Sequence, residues 1–95
     1  MIENDMNHLN LYEYAMPNAG LRLRNEAEAL IADKSITKLR KLDDLLVQLI
    51  AQQITNNEVS YIDLSEYVSY AIEQLEQGVE VSVILVSPLR TNIYT

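Results

Sequence analysis

Val59-Ser60-Tyr61-Ile62-Asp63-Leu64-Ser65-Glu66-Tyr67-Val68, continuing through Gln77-Gly78-Val79-Glu80-Val81-Ser82-Val83-Ile84-Leu85-Val86, is the stretch on which the fold turns. Val59 to Leu64 is rich in β-branched and aromatic residues and is read as a short strand. A helix follows, capped by Asp63 or Ser65, with Glu66 three residues after Asp63 in a capping-box spacing. Leu64, Val68, Ala71, Ile72 and Leu75 supply its buried stripe, and Gly78 stops it as the residue after the C-cap. Val79, Val81, Val83 and Leu85 alternate with Glu80, Ser82, Ile84 and Val86, which predicts a second strand running from an exposed rim into the interior. Two strands around one helix make a β-α-β unit, with a right-handed crossover if the strands pair in parallel.

Working back from this unit, no Gly or Pro interrupts Leu21 to Gln77. Leu23, Ala27, Leu30 and Ile31 share one face at helical spacing, giving a first helix over about residues 20–32, with a break at Asp33-Lys34-Ser35. Leu39, Leu42, Leu46 and Leu49 recur at steps of three and four, widened by Leu45 and Ile50. They predict a second helix, started by Ser35 or Thr37 and ended by Asn56-Asn57. The stripe is broad enough for cover on two sides, by the domain itself and by a second copy. Two heptads are too few for a free-standing zipper.

Residues 1–19, with Asn4, Asn7, Asn10, Asn18, Pro17 and then Gly20, are read as a weakly structured segment. Its Leu9, Leu11, Tyr12, Tyr14 and Met16 are apolar enough to dock on a surface, that of the protein's own core or, as the alternative, of a partner. Residues 20–95 are read as one small domain of α+β class: two N-terminal helices packed on a small β-α-β unit. A two-stranded sheet leaves open edges, so a homodimer is expected to complete it.

The 95 residues suffice for one core, and the apolar fraction of 48 % with 22 % charged is that of an ordinary globular chain. There is no Cys, Trp or Phe, so aliphatic side chains build the core with six Tyr as the only rings. Thiolate metal sites and cysteine nucleophiles are thereby excluded. The acidic start, Met1-Ile2-Glu3-Asn4-Asp5, is not followed by an apolar stretch, and no apolar run is longer than Val83 to Val86. A cytoplasmic location is expected.

Little in the chain suggests catalysis. His8 is the single histidine, so neither a His-based triad nor a multi-His metal site fits within one chain. Asp43 and Asp44 diverge by about 100° on a helix. Glu73 and Glu76 share a face, but nothing nearby completes a calcium or magnesium shell. With Gly20 and Gly78 as the only glycines there is no phosphate-binding loop. The sequence predicts no enzyme, no cofactor and no metal.

Charge is distributed unevenly. The net charge is −7, and residues 1–42 balance six acids with six bases, whereas 43–95 hold eight acids against Arg90. Such a half repels phosphate and suits basic partner surfaces. Glu66, Tyr67, Tyr70, Glu73, Glu76 and Glu80 are therefore the candidate partner-binding residues, the two tyrosines forming a face apart from the buried stripe. Lys34, Lys38, Arg40 and Lys41, with Arg22 and Arg24 before them, are the candidate phosphate-binding cluster. They lie at the start of their helix, where cations oppose the helix dipole, so pairing with acids is the expected use. Nucleic-acid contact is not expected of so acidic a chain.

The run Tyr61-Ile62-Asp63-Leu64, the helix with Leu75, and Gln77-Gly78-Val79-Glu80-Val81-Ser82-Val83 resemble the N-terminal region of excisionase-type antitoxins over about residues 59–88. In that family a strand, a helix ending in Gly and a Val-rich strand precede a helix-turn-helix that binds operator DNA. The resemblance implies a partner-binding or dimerising module. Three functions are consistent with these readings. The first is a non-enzymatic regulatory protein that recognises a protein partner. The second is a small phage- or plasmid-type inhibitor of a host nucleic-acid-binding protein, acting through its acidic surface. The third is a DNA-binding transcriptional regulator.

Overall fold

Ser60 sets the register of the chain's second half. In the computed structural model, which describes residues 10–94, its hydroxyl accepts a hydrogen bond from the Asp63 amide at 3.2 Å. Ser60 is thus the N-cap of a helix spanning Tyr61–Glu76. The residues expected to form the first strand are that helix's opening turn. Val81–Leu85, the centre of the expected second strand, is a short helix. The β-α-β unit is therefore corrected to helices throughout. Among the described residues the β structure is a single antiparallel bridge between Val59 and Tyr94. With no sheet there are no open sheet edges for a second copy to close, and that argument for a dimer falls.

The helices are α1 (Ala19–Ala32), α2 (Ile36–Ala51), α3 (Tyr61–Glu76), α4 (Val81–Leu85) and α5 (Pro88–Thr91), preceded by a 3₁₀ turn at Leu11–Ala15. Leu23, Ala27 and Ile31 bury the inner face of α1, and Leu39, Leu42, Leu46 and Leu49 that of α2. In α3 the buried set is Tyr61, Leu64, Tyr67, Val68 and Ala71. Ile54, Val59, Ile84 and Ile93 close the core from the connections and the C-terminal segment. Leu30, Leu45, Ile50, Ile72 and Leu75 lie half-buried at its margin. The leucine stripe of α2 is thus covered within one chain, its broadest contact being with α3.

The polar contacts give the direction of the α2–α3 pair. Asp43 accepts hydrogen bonds from Ser65 (2.7 Å) and Ser69 (3.2 Å), while Arg40, one turn earlier in α2, pairs with Glu76 late in α3. The two helices are antiparallel.

Each long helix ends in the same way. After α3 the amide of Gly78 reaches the Leu75 carbonyl (3.1 Å) and that of Val79 reaches Gln74 (3.0 Å), with Gly78 at φ 82. This is a Schellman turn. Lys34 (φ 57) stands in the same place after α1, with bonds Lys34 to Ile31 and Ser35 to Leu30. Gln53 (φ 59) does so after α2, with bonds Gln53 to Ile50 and Ile54 to Leu49. The second helix stops at Ala51 and not at Asn56.

Asn56 has a different task. It is buried, its amide group donates to the carbonyls of Tyr14 (3.1 Å) and Met16 (3.0 Å), and its Oδ1 accepts from the Glu58 amide (2.9 Å). The Tyr61 hydroxyl donates to the same Tyr14 carbonyl. The 3₁₀ turn is thereby clasped to the α2–α3 connection, with Leu11 and Tyr14 packed against the core. At the other end the Ser60 amide donates to the Ile93 carbonyl (2.7 Å), fastening the C-terminal segment beside the start of α3.

Candidate partner-binding surface

Once the register of α3 is set by Ser60, the helix presents Ile62, Glu66, Ser69, Glu73 and Glu76 outward at steps of four, three, four and three; all five are exposed. Glu80, beyond the Schellman turn, is exposed as well. Glu76 is engaged by Arg40, both side chains being about half exposed, so this ion pair stabilises the fold only slightly. Glu66, Glu73 and Glu80 have no ion-pair partner among the described residues. From Asp43 to Leu89 the chain has no Lys or Arg at all. Apart from the Arg40–Glu76 pair, this face makes no ion pair among the described residues.

The tyrosines divide. Tyr70 is half-buried, but Tyr67 is fully buried, which corrects its expected place on a contact face. Counted from Tyr61, positions 61, 64, 67/68 and 71 point inward together. In a chain without Phe or Trp, Tyr67 is the largest fully buried side chain. Burial pushes its hydroxyl up to about 12, and the hydroxyl finds no hydrogen-bond partner among the described residues. Burial likewise pushes Tyr61 up to about 12.

Of the basic residues of 34–41, only Lys38 and Lys41 come together. Lys34 occupies the left-handed position after α1, Arg40 reaches across to Glu76, and Lys38 and Lys41 border a depression of about 300 Å³ shared with Tyr14, Leu23, Glu26, Leu42 and Leu45. Leu39, Leu42, Leu46 and Leu49 are core residues and offer no free dimer seam. His8 lies outside the described residues. Among the described residues no group of three or more His, Asp or Glu stands together as a metal site. Among the described residues no helix is long and apolar enough to cross a membrane.

Sequence reasoning missed a groove of about 380 Å³ at the α2–α3 connection, lined by Ile50, Ile54, Val59, Tyr61 and Ile62, with Gln53, Thr55, Asn56 and Ser60 between them. Its residues come from a helix end, a loop and a helix start, so no periodic signal gathers them. The Asn56-Asn57 pair marks the turn but does not show that Asn56 is buried beside an apolar surface. Compared with known proteins, the chain matches no family model, no curated protein and no solved structure.

Proposed function

We propose that this is a non-enzymatic regulatory binding protein that recognises a protein partner with a basic contact surface, through the outer face of α3 and the turn that follows. The observation that carries this reading is the outward row Ile62, Glu66, Ser69, Glu73, set in a 43–89 span without a cation. Uncompensated carboxylates on a rigid helix attract and orient a cationic surface, raising the association rate and penalising acidic competitors. A regulator that binds DNA through residues 34–41 has less support, because Arg40 is occupied by Glu76 and the depression that Lys38 and Lys41 share is also lined by Glu26. A role as inhibitor of a nucleic-acid-binding protein would use the same acidic face. Excess duplex DNA would then compete with the protein for its partner. The excisionase-type resemblance lends nothing to the proposal, since its two strands are helical here.

The test is capture from a native lysate by the full chain and by a Glu66→Lys/Glu73→Lys/Glu80→Lys variant, with Glu76 left intact to keep its pairing with Arg40. The unaltered protein is expected to retain a basic partner that elutes with salt, and the variant to lose it. Equal capture by both proteins overturns the reading.

A further inference from the structure

The groove at the α2–α3 connection is the strongest apolar recess among the described residues that the acidic face alone does not explain. Its floor is aliphatic and aromatic: Ile50, Ile54, Val59, Tyr61 and Ile62. The residues lining it carry no formal charge, and Ile62 at its lip is 58 % exposed. A volume of about 380 Å³ lies at the lower end of what recognition pockets occupy, enough for a few aliphatic side chains.

What it takes follows from its surroundings. Ile62 both lines the groove and begins the outward row of α3, in which Glu66 follows one turn later and Glu73 two turns beyond that. Asp63, in the first turn of α3, and Glu58, just before it, add further negative charge. Arg22 and Glu58 act on Tyr61 in opposite senses, and the Tyr61 hydroxyl is turned toward the Tyr14 carbonyl. A second copy meeting this face across a two-fold axis would bring carboxylates against carboxylates, and the chain's own leading segment carries Glu3 and Asp5. Both are mismatched in charge.

We propose that the groove seats the apolar side chains of a basic amphipathic segment of the partner protein, whose Lys or Arg residues then lie along Glu66 and Glu73. The inference rests on the acidic-face reading and adds to it the apolar anchor that charge by itself does not supply. It is the helix-in-groove mode of recognition, in which aliphatic anchors give affinity and the charged rim sets orientation.

The test uses two probes against the full chain: a short helix-forming peptide of Leu and Lys, and one of the same length and charge with Ala in place of Leu. The Leu/Lys peptide is expected to bind roughly tenfold or more tightly than the Ala/Lys peptide, by the burial of its larger side chains. It should also shift the methyl resonances of Ile50, Ile54 and Ile62. Ile62→Ser, at an exposed position and checked by an unchanged melting temperature, is expected to erase the difference between the peptides. Glu66→Gln/Glu73→Gln is expected to weaken both alike. Equal affinity of the two peptides, or an Ile62→Ser variant that still prefers Leu, overturns the groove and leaves the acidic face standing. Leu-dependent binding that ignores Glu66→Gln/Glu73→Gln overturns the basic occupant and, with it, the acidic-face reading. Groove resonances that move with protein concentration, with no peptide present, assign the groove to a second copy and overturn the proposal.

Discussion

Tyr67 and Gly20 each fix a point of the core by what surrounds one atom. The Tyr67 hydroxyl is buried without a hydrogen-bond partner among the described residues, and such a group costs about 1–3 kcal/mol. Tyr67→Phe keeps the ring and removes the hydroxyl. We expect it to raise stability by about 1 kcal/mol, read as an increase of several degrees in melting temperature. The same substitution bears on alkaline unfolding. A hydroxyl raised from 10 to about 12 in the folded state stays protonated there while the unfolded chain releases its proton. Ionisation of Tyr67 therefore takes nothing from stability below pH 10 and lowers it progressively as pH rises from 10 through about 12. Denaturant titrations across that window should show a shallower decline for Tyr67→Phe, with Tyr61 still contributing. Gly20 is the opposite case, a position where one added carbon does not fit. A Cβ there would stand 2.7 Å from Asn56 Oδ1 and 2.9 Å from Val59 Cβ. Asn56 cannot retreat without releasing the carbonyls of Tyr14 and Met16. Gly20→Ala is expected to destabilise by about 1–3 kcal/mol despite the better helix propensity of Ala, as measured by chemical denaturation.

Among the elements, the three Schellman turns offer an internal comparison. The same left-handed residue is Lys34, Gln53 and Gly78 in turn, and only the last is free of a Cβ penalty. Lys34→Gly and Gln53→Gly are each expected to stabilise by about 0.5–1 kcal/mol, and Gly78→Ala to destabilise by about 1 kcal/mol. Nothing lies within 4 Å of a Cβ built on Gly78, so its loss would be purely one of backbone conformation. Thermal melts of the three variants would show whether the signs divide in this way. These turns also mark what could be read from the chain. The first two long helices were legible because Leu23, Ala27 and Ile31, and then the leucines of α2, repeat at the helical period over more than two turns. The end of α3 was legible because Gly78 occupies it. The end of α2 was not, since a Gln in the same conformation gives no sign of it. The two strands were misread for a related reason. Over five or six residues, period two and period 3.6 are hard to tell apart: Val79, Val81, Val83 and Leu85 alternate, yet Val81, Ile84 and Leu85 also share a helix face. Tertiary context decides for the second, burying Ile84 and leaving Val83 exposed. Before Leu64 the Ser60–Asp63 pair was available as a capping signal, but the β-branched residues around it drew the reading away. Of the candidate site, Glu66, Glu73 and Glu80 were legible as an acidic surface because net charge needs no fold. The inward turn of Tyr67 and the groove at Ile50 and Ile62 depend on register and on the course of a loop, which no local pattern records.

For the whole molecule, charge and connectivity set the terms. With a net charge of −7 and every residue from 43 to 89 neutral or acidic, the folded state brings carboxylates together that the unfolded chain keeps apart. Added salt should therefore raise the melting temperature by a few degrees between low and moderate ionic strength, the gain from screened repulsion outweighing the weakening of Arg40–Glu76 and Arg90–Glu28. A falling melting temperature would mean that those two pairs outweigh the repulsion. Connectivity is closed by Ile93 and Tyr94, which bond to Ser60 and Val59 and so tie the last described residues to the middle of the chain. That clasp has a consequence for synthesis. While Ile93 is still inside the ribosome, the emerging polypeptide has α1, α2 and α3 but lacks the piece that seats the start of α3. It should stay open to proteases until Tyr94 clears the exit tunnel and then become resistant in a single step.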